Sequence, residues 1–340
     1  MKMDKSLNIM KTLLKGMKLC IPCLTKENKC NSFNNETEFR MAFYLKQFKK
    51  WTPNTGNRSF DYQEKRKTIR YLSEICFKWN IQEKNTILEL LHQLFKHDIY
   101  FYNLFTNVST VLQFKNDPNE NGKYEHLNYF LLQTNRLRVT FGDENLRIAD
   151  IAFYIKYRSR NPKFCLGAIL NCDPTLLLLL LQHGALIKWM LTTRQCNINH
   201  NDYKYLIYLI LLLWREKRFG YDNVELVNVK KTSGILPELI SNANLLLRAV
   251  PKLRNACGIR DTEKYKHNFQ YEKIIVPHIL DKFHKLLPSL IERYLKPAKL
   301  QHLCRCVIRY RLWLNWKLPR GIELLPLPTF LKNYINLLID

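Results

Sequence analysis

The sequence predicts an all-α fold, and three observations carry that expectation. Leucine-rich stretches recur between short polar breaks at helical spacing. The 340 residues include only 10 glycines and 13 prolines, few for a sheet-rich enzyme built around glycine loops. Residues 164–185 hold two short helical patterns joined by a tight turn, a unit that cannot bury its own leucines and asks for stacked neighbours. Hydrophobic residues make up 46% of the chain against 24% charged, enough apolar material for a core and too much for wholesale disorder.

In chain order, residues 1–35 read as a flexible leader containing Cys20, Cys23 and Cys30. Its Cys20/Cys23 pair invites a zinc or redox reading. A closed zinc site needs four ligands, however, and neither a nearby fourth ligand nor a βαβ pattern accompanies the pair. Residues 36–117 form an N-terminal helical region. There Phe39, Phe43, Leu45 and Phe48 are expected on one broad apolar side. Ile69, Leu72, Ile75, Cys76 and Trp79 repeat at helical spacing, and Ile87, Leu88, Leu91, Leu94 and Phe95 continue the pattern. The aromatic residues at 100–105 are expected as core or interhelix contacts. A polar break at 115–123, with Pro118 and Gly122, marks a boundary or long loop.

Residues 124–296 form a second helical region. Residues 164–170 and 175–182 are its clearest short helices, and the second ends at His183, Gly184 and Ala185, where glycine tolerates the left-handed backbone that satisfies the last carbonyls. Residues 202–214 suggest a further helix. Leu245, Leu246, Leu247 and Val250 could seal one side of the stack, and Ile274, Ile275, Ile279, Phe283, Leu286 and Leu287 form another apolar series with Pro277 inside it.

Residues 297–340 hold the most information. Pro297 can open a helix with Leu300, Leu303, Cys304, Val307, Ile308 and Leu312 along one apolar stripe, and Arg305, Arg309 and Arg311 are expected largely outside it. Pro319 and Gly321 break that helix. Leu325, Pro326, Leu327 and Pro328 follow, and a final helix carries Phe330, Leu331, Tyr334, Ile335 and Leu338. So short a segment cannot enclose much core alone, so these helices must pack on the preceding domain, on another protein, or on both.

Lys and Arg total 54 against 29 Asp and Glu, a formal net charge of +25 that runs through the chain and is not confined to a detachable tail. Such a balance attracts acidic partners, nucleic acid or anionic lipid without selecting among them. A basic helical nucleic-acid-binding or scaffold protein is the alternative it supports, though no zinc-finger spacing or sequence-reading helix accompanies it. Apolar runs at 176–181 and 205–214 are too short to span a bilayer, and Lys11, Lys15 and Lys18 interrupt the apolar stretch near the N-terminus. A soluble protein of the cytoplasm, or of the nucleus as well, is therefore expected, with its cysteines reduced.

Two resemblances sharpen the reading. The run from Asp173 to Ala185 (DPTLLLLLLQHGA) resembles the second half of an ankyrin repeat, with Ala168 where the first helix of such a repeat carries its small packing residue. The usual opening of the repeat is replaced by Lys163, Phe164, Cys165 and Leu166. The segment from Lys299 to Arg309 (KLQHLCRCVIR) resembles the elongin-binding box of a SOCS box, with Leu300, Cys304 and Ile308 at the spaced leucine, cysteine and aliphatic positions. Lys299 departs from the small residue or proline usual there. LPLP at 325–328 resembles the cullin-5 box, and LKNYI at 331–335 matches the closing helix. Together these motifs make the chain similar to the ankyrin-repeat and SOCS-box family, a degenerate ankyrin-like stack followed by a three-helix SOCS box.

That resemblance implies a non-catalytic substrate receptor of a multisubunit ubiquitin ligase. Leu300, Leu303, Cys304, Val307 and Ile308 would bind elongin C, itself joined to elongin B. Leu325, Pro326, Leu327 and Pro328 would position cullin-5 with its RING partner, and Ala168, Gly184 and Ala185 would be ankyrin-like structural residues. No cofactor or metal is implied, and the protein target is unknown, with an acidic one suited to the basic surface. Among the histidines, His183, His200 near Cys196, and His302 beside Cys304 come with no legible nucleophile–base–acid arrangement.

Overall fold

A computed structural model describes residues 32–50, 58–97, 101, 104, 124–142, 145–151, 174–187, 235–250 and 297–340. The leader cysteines, Ala168, Cys196, His200, and the apolar series at 164–170, 202–214 and 274–287 lie outside these residues. The described elements are helices, and the chain divides into two compact units, Met1–Phe141 and Gly142–Asp340.

The first unit contains α1 (Ser32–Lys50), α2 (Arg58–Lys78), α3 (Lys84–His97) and α4 (Glu125–Leu137). Helices α2 and α3 pack on each other, and both touch α1 and α4. Met41, Leu45 and Phe48 of α1 meet Ile69, Leu72, Ile75 and Cys76 of α2, Ile87, Leu90, Leu91 and Leu94 of α3, and Leu127, Phe130 and Leu131 of α4 in the core. One expectation fails here. Phe39 and Phe43 are 74% and 44% exposed, because they lie on the side of α1 opposite the Met41/Leu45/Phe48 stripe. Two residues of separation is a rotation of about 200° on a helix, so Phe39 and Phe43 face away from Met41 and Leu45.

Polar contacts close the ends of these helices. Asn80 takes a left-handed backbone (φ 48°) and lets the Ile81 N–H donate to the Cys76 carbonyl at 3.1 Å, ending α2. The Glu83 carboxylate accepts from the N–H groups of Asn85 (2.8 Å) and Thr86 (2.5 Å) and caps α3. Between them the Tyr129 hydroxyl, buried, donates to the Ile81 carbonyl at 2.5 Å. Phe101 is fully buried against Phe95 and Phe141, as expected of the aromatic segment, with ring centroids 5.8 and 5.0 Å away.

The second unit contains α5 (Ile148–Ile151), α6 (Pro174–Gln182), α7 (Ile235–Ala249), α8 (Leu300–Leu314), α9 (Arg320–Glu323) and α10 (Thr329–Ile335). Helix α6 packs on α5 and α7, while α10 packs on α8 and α9. Leu176, Leu177, Leu180 and Leu181 of α6 are buried, as are Ala243, Leu245, Leu246 and Leu247 of α7. The end of α6 forms as its sequence requires. Gly184 has φ +90°, its N–H donates to Leu181 at 2.9 Å, and the Ala185 N–H donates to Leu180 at 3.0 Å. This paired closure leaves few of the helix's last carbonyls unsatisfied.

Candidate functional site: the two faces of helix α8

Helix α8 begins at Leu300, three residues later than a Pro297 start would place it. Lys299 is the residue before it, in an extended conformation, and contributes no side-chain cap. The helix ends where the chain turns into α9, whose Ile322 joins Leu318, Tyr334, Ile335 and Ile187 in a small core. Ile308, Leu312 and Trp313 of α8 pack against that core, together with Leu325 and Leu327.

The apolar residues of α8 therefore do not form a single stripe. Leu300, Leu303, Cys304 and Val307, at i, i+3, i+4 and i+7, share an outward face, with Leu300 76% and Val307 57% exposed. Ile308 lies at the edge of that face and turns half inward; Leu312 belongs to the core side. Arg311 and Leu314 extend the outward face toward the end of the helix. A stripe of large apolar side chains in solvent is a feature that asks for a partner.

The arginines are corrected more sharply. Arg311 lies outside, as expected, but Arg305 and Arg309 are each only 3% exposed and form, with His302, the inner face of α8. The apolar core is displaced to one side of the helix, so its innermost positions meet backbone instead. Arg309 donates from Nη1 to the Ile335 carbonyl at 3.0 Å and from Nη2 to the Leu181 carbonyl. Arg305 donates to the Ile339 carbonyl at 3.4 Å and to His302 Nδ1 at 2.8 Å, with its guanidinium 4.2 Å from the Tyr334 ring centre. A guanidinium has no acceptor, so His302 must accept at Nδ1 and carry its proton on Nε2, which donates to the Val250 carbonyl at 2.8 Å. Cys306 Sγ points at the adjacent Ala249 carbonyl, 3.8 Å away.

These acceptors have a common origin. Leu181, Ala249 and Ile335 lie in the last turns of α6, α7 and α10, and Val250 immediately follows α7. The final carbonyls of a helix carry partial negative charge, and the one at Leu181 that takes the Gly184 N–H still has a second lone pair, so cations suit them. Burial pulls the Arg309 pKa down to about 10, the Cys306 side pushing it up and Arg305 down, and the group keeps its charge at neutral pH. Neighbouring bonds reinforce the assembly. Gln182 donates to the Asn336 carbonyl at 3.2 Å, and Arg248 donates to Leu337 at 3.3 Å and pairs with Asp340 at 3.0 Å.

The ankyrin-like turn lies against the same helix. A Cβ on Gly184 would collide with the Trp313 ring, and it would lie 3.2 Å from Leu318 Cδ1. Arg147 stacks its guanidinium on Trp313 and Trp316, 4.1 and 3.6 Å from the ring centres. Asp150 of α5 accepts from the Leu186 N–H at 3.3 Å and ties down the residue that follows Ala185. Ala185 is buried. His183, beside the turn, is buried, and its pKa falls to about 3 through desolvation first and then the positive charges of Arg309 and Arg320.

In the LPLP segment Leu325 and Leu327 face the small core, while Pro326 and Pro328 are exposed. Pro328 immediately precedes α10, and its carbonyl accepts the Lys332 N–H at 3.1 Å. Sequence reasoning missed His302, Arg305, Arg309, Arg147 and Asp150 as anchors. For the first three a signal existed: spacing of i, i+3 and i+7 places them on one helical face. Arg147 and Asp150 carried none.

Among the described residues no group of three or more His, Cys, Asp or Glu side chains could hold a metal ion, and no helix is long and apolar enough to cross a membrane. What α8 offers chemically is recognition: an apolar ridge on the outside of a helix that is anchored on the inside.

Comparison with known proteins agrees with the geometry. Residues 296–336 match the SOCS box family, which takes in all of α8 and α9 and, as far as Asn336, the closing helix. Ankyrin repeat and SOCS box protein 17 of dog is 28% identical over 181 residues, 53% of this chain and 55% of the relative. The cow protein of the same name is 51% identical over 45 residues, 13% of this chain and 15% of the relative. Mouse ankyrin repeat and SOCS box protein 10 is 28% identical over 109 residues, 32% of this chain and 22% of the relative. These matches span from about one-seventh to about half of the relatives' length. No solved structure matches. The fold is all-α, with ankyrin-like helices leading into C-terminal helices that are a SOCS box, and the chain is related to the ankyrin repeat and SOCS box proteins.

Proposed function

We propose that the chain is the substrate-recognition subunit of an elongin B/C–cullin-5–RING E3 ubiquitin ligase, acting in the cytoplasm and in the nucleus beside it. The observation that carries this reading is the outward apolar face of Leu300, Leu303, Cys304 and Val307 within the segment that matches the SOCS box. An elongin C groove would take these side chains as the i, i+3, i+4 and i+7 anchors of a docked helix, and Cys304 would enter as a small hydrophobe. Ile308 would contribute from the edge of the face.

The exposed prolines Pro326 and Pro328, on a loop held by Leu325 and Leu327, would supply the cullin-5 contact. The chain itself performs no chemical step on this reading. It holds a target lysine near a ubiquitin thioester carried by the RING partner's conjugating enzyme, which raises the effective concentration for transfer. The target would be an acidic protein segment. Support comes from the +25 net charge and from α1, where exposed Phe39 and Phe43 share a face with exposed Lys46 and Lys50.

The test is capture of purified elongin B/C by the full chain and by a Leu300→Asp/Cys304→Asp double variant. The wild type should retain the pair and the variant should lose it, with far-UV circular dichroism unchanged because both side chains lie in solvent. Equal retention by the double variant would reject the assignment.

A further inference from the structure

Helix α8 presents one face to solvent and uses the other to hold the ends of other helices, and the two sets of side chains do not overlap. The inner set is polar, although a helix packed on a domain ordinarily buries its apolar side. Its donors reach backbone carbonyls at the ends of α6, α7 and α10, three elements whose carbonyl directions are set by their own helix axes. Hydrogen bonds constrain angle as well as distance, whereas an apolar contact tolerates sliding. Buried donors of this kind are also costly to leave unmatched, so the bonds of His302 and Arg309 favour one docking geometry and penalise neighbouring ones, while Arg305 Nε is left without a partner.

We propose that His302 and Arg309 are positioning residues, whose hydrogen bonds to the helix-end carbonyls, with Arg305 holding the His302 imidazole at Nδ1, fix the angle at which the outward face of α8 is presented relative to α6 and α7. This inference rests on the reading of that outward face as the adaptor-docking surface. It adds that target geometry is set on the opposite side of the same helix. A ligase that works by proximity needs a defined direction from receptor to adaptor, and a ridge on a loosely docked helix would supply affinity without direction.

The experiment compares three variants of the full chain: His302→Leu, His302→Gln and Arg309→Met. Glutamine can donate to Val250 and accept from Arg305 as the imidazole does, while leucine keeps the bulk and makes neither bond. Spin labels on unnatural amino acids at exposed Thr175 in α6 and Gln301 in α8 leave the native cysteines untouched and report the distance between the two helices. Capture of elongin B/C is measured separately on unlabelled protein.

The wild type and His302→Gln should give a single narrow distance distribution, which His302→Leu and Arg309→Met lose. Adaptor affinity should change by less than about threefold in all three, the range for substitutions that do not touch the partner. The proposal is overturned if His302→Leu keeps the wild-type distribution, or if His302→Gln broadens as much as His302→Leu. Should Arg309→Met fail to fold, the His302 pair still decides. A wild-type chain that captures no elongin pair while His302→Leu still broadens the distribution would overturn the adaptor reading and support the anchoring.

Discussion

Replacing Gly184 with alanine tests whether the ankyrin-like turn and helix α8 form one packed unit. Two penalties follow from the structure. The backbone at Gly184 has φ +90°, a conformation that costs a residue with a Cβ about 1–3 kcal/mol. The added methyl would also overlap the Trp313 ring, with Leu318 Cδ1 at 3.2 Å blocking escape on the other side. Trp313 cannot easily retreat, because Arg147 stacks on it at 4.1 Å and Tyr310 stacks nearby at 6.2 Å. Overpacking of this sort costs about 1–3 kcal/mol. The sum, about 2–6 kcal/mol, is a large part of the stability of an ordinary domain.

Urea unfolding followed by circular dichroism should therefore show a markedly lower midpoint for Gly184→Ala. A double variant separates the two causes. Trp313→Leu makes room for the methyl, so Gly184→Ala in that background should cost only the backbone strain, leaving a coupling of about 1–3 kcal/mol. A cost for Gly184→Ala below about 0.5 kcal/mol, or strict additivity in the double variant, would refute the packing described for this turn.

Further outcomes follow from other contacts. Pro326→Ala/Pro328→Ala should weaken capture of cullin-5 more than capture of the elongin pair and shift stability by no more than about 0.5 kcal/mol, since both prolines are exposed; equal loss of both partners would indicate damage to the small core instead. His183 has a native pKa near 3 against about 6.5 unfolded. The unfolded chain thus binds the proton first, and this contribution to stability is complete above pH ~6.5 and is lost as pH falls toward 3, with a slope of up to about 1.4 kcal/mol per pH unit. His183→Asn should flatten that part of a pH–stability curve, and an unchanged slope would count against it. Tyr129→Phe strands the Ile81 carbonyl and should destabilise the first unit by about 1–3 kcal/mol, whereas the exposed Tyr62→Phe should change stability by less than about 0.5 kcal/mol in the same denaturation assay.

The elements most legible in the sequence were those whose signal is local. Gly184 after a run of leucines predicts a left-handed helix end whatever surrounds it, and the structure has that end, with both of the expected backbone bonds. Leu300, Leu303, Cys304 and Val307 are recognisable by spacing alone, because a helix puts them on one face. The spacing could not say whether that face is inside or outside. It read Ile308 and Leu312 into the same stripe and read Phe39 and Phe43 with the core of α1, since an apolar residue carries no label for direction.

Helical periodicity and chain punctuation thus determined the class of fold, the turn at Gly184 and the existence of an apolar α8. Only tertiary structure decided that Arg305 and Arg309 lie inside and the leucines outside. The physical reason is that arginine is expensive to bury only when unmatched, and the matching groups here are backbone carbonyls for Arg309 and, for Arg305, the His302 imidazole beside the Ile339 carbonyl. Those carbonyls exist at helix ends wherever a chain folds, so no side chain announces them. They become partners for α8 only when α6, α7 and α10 converge on it.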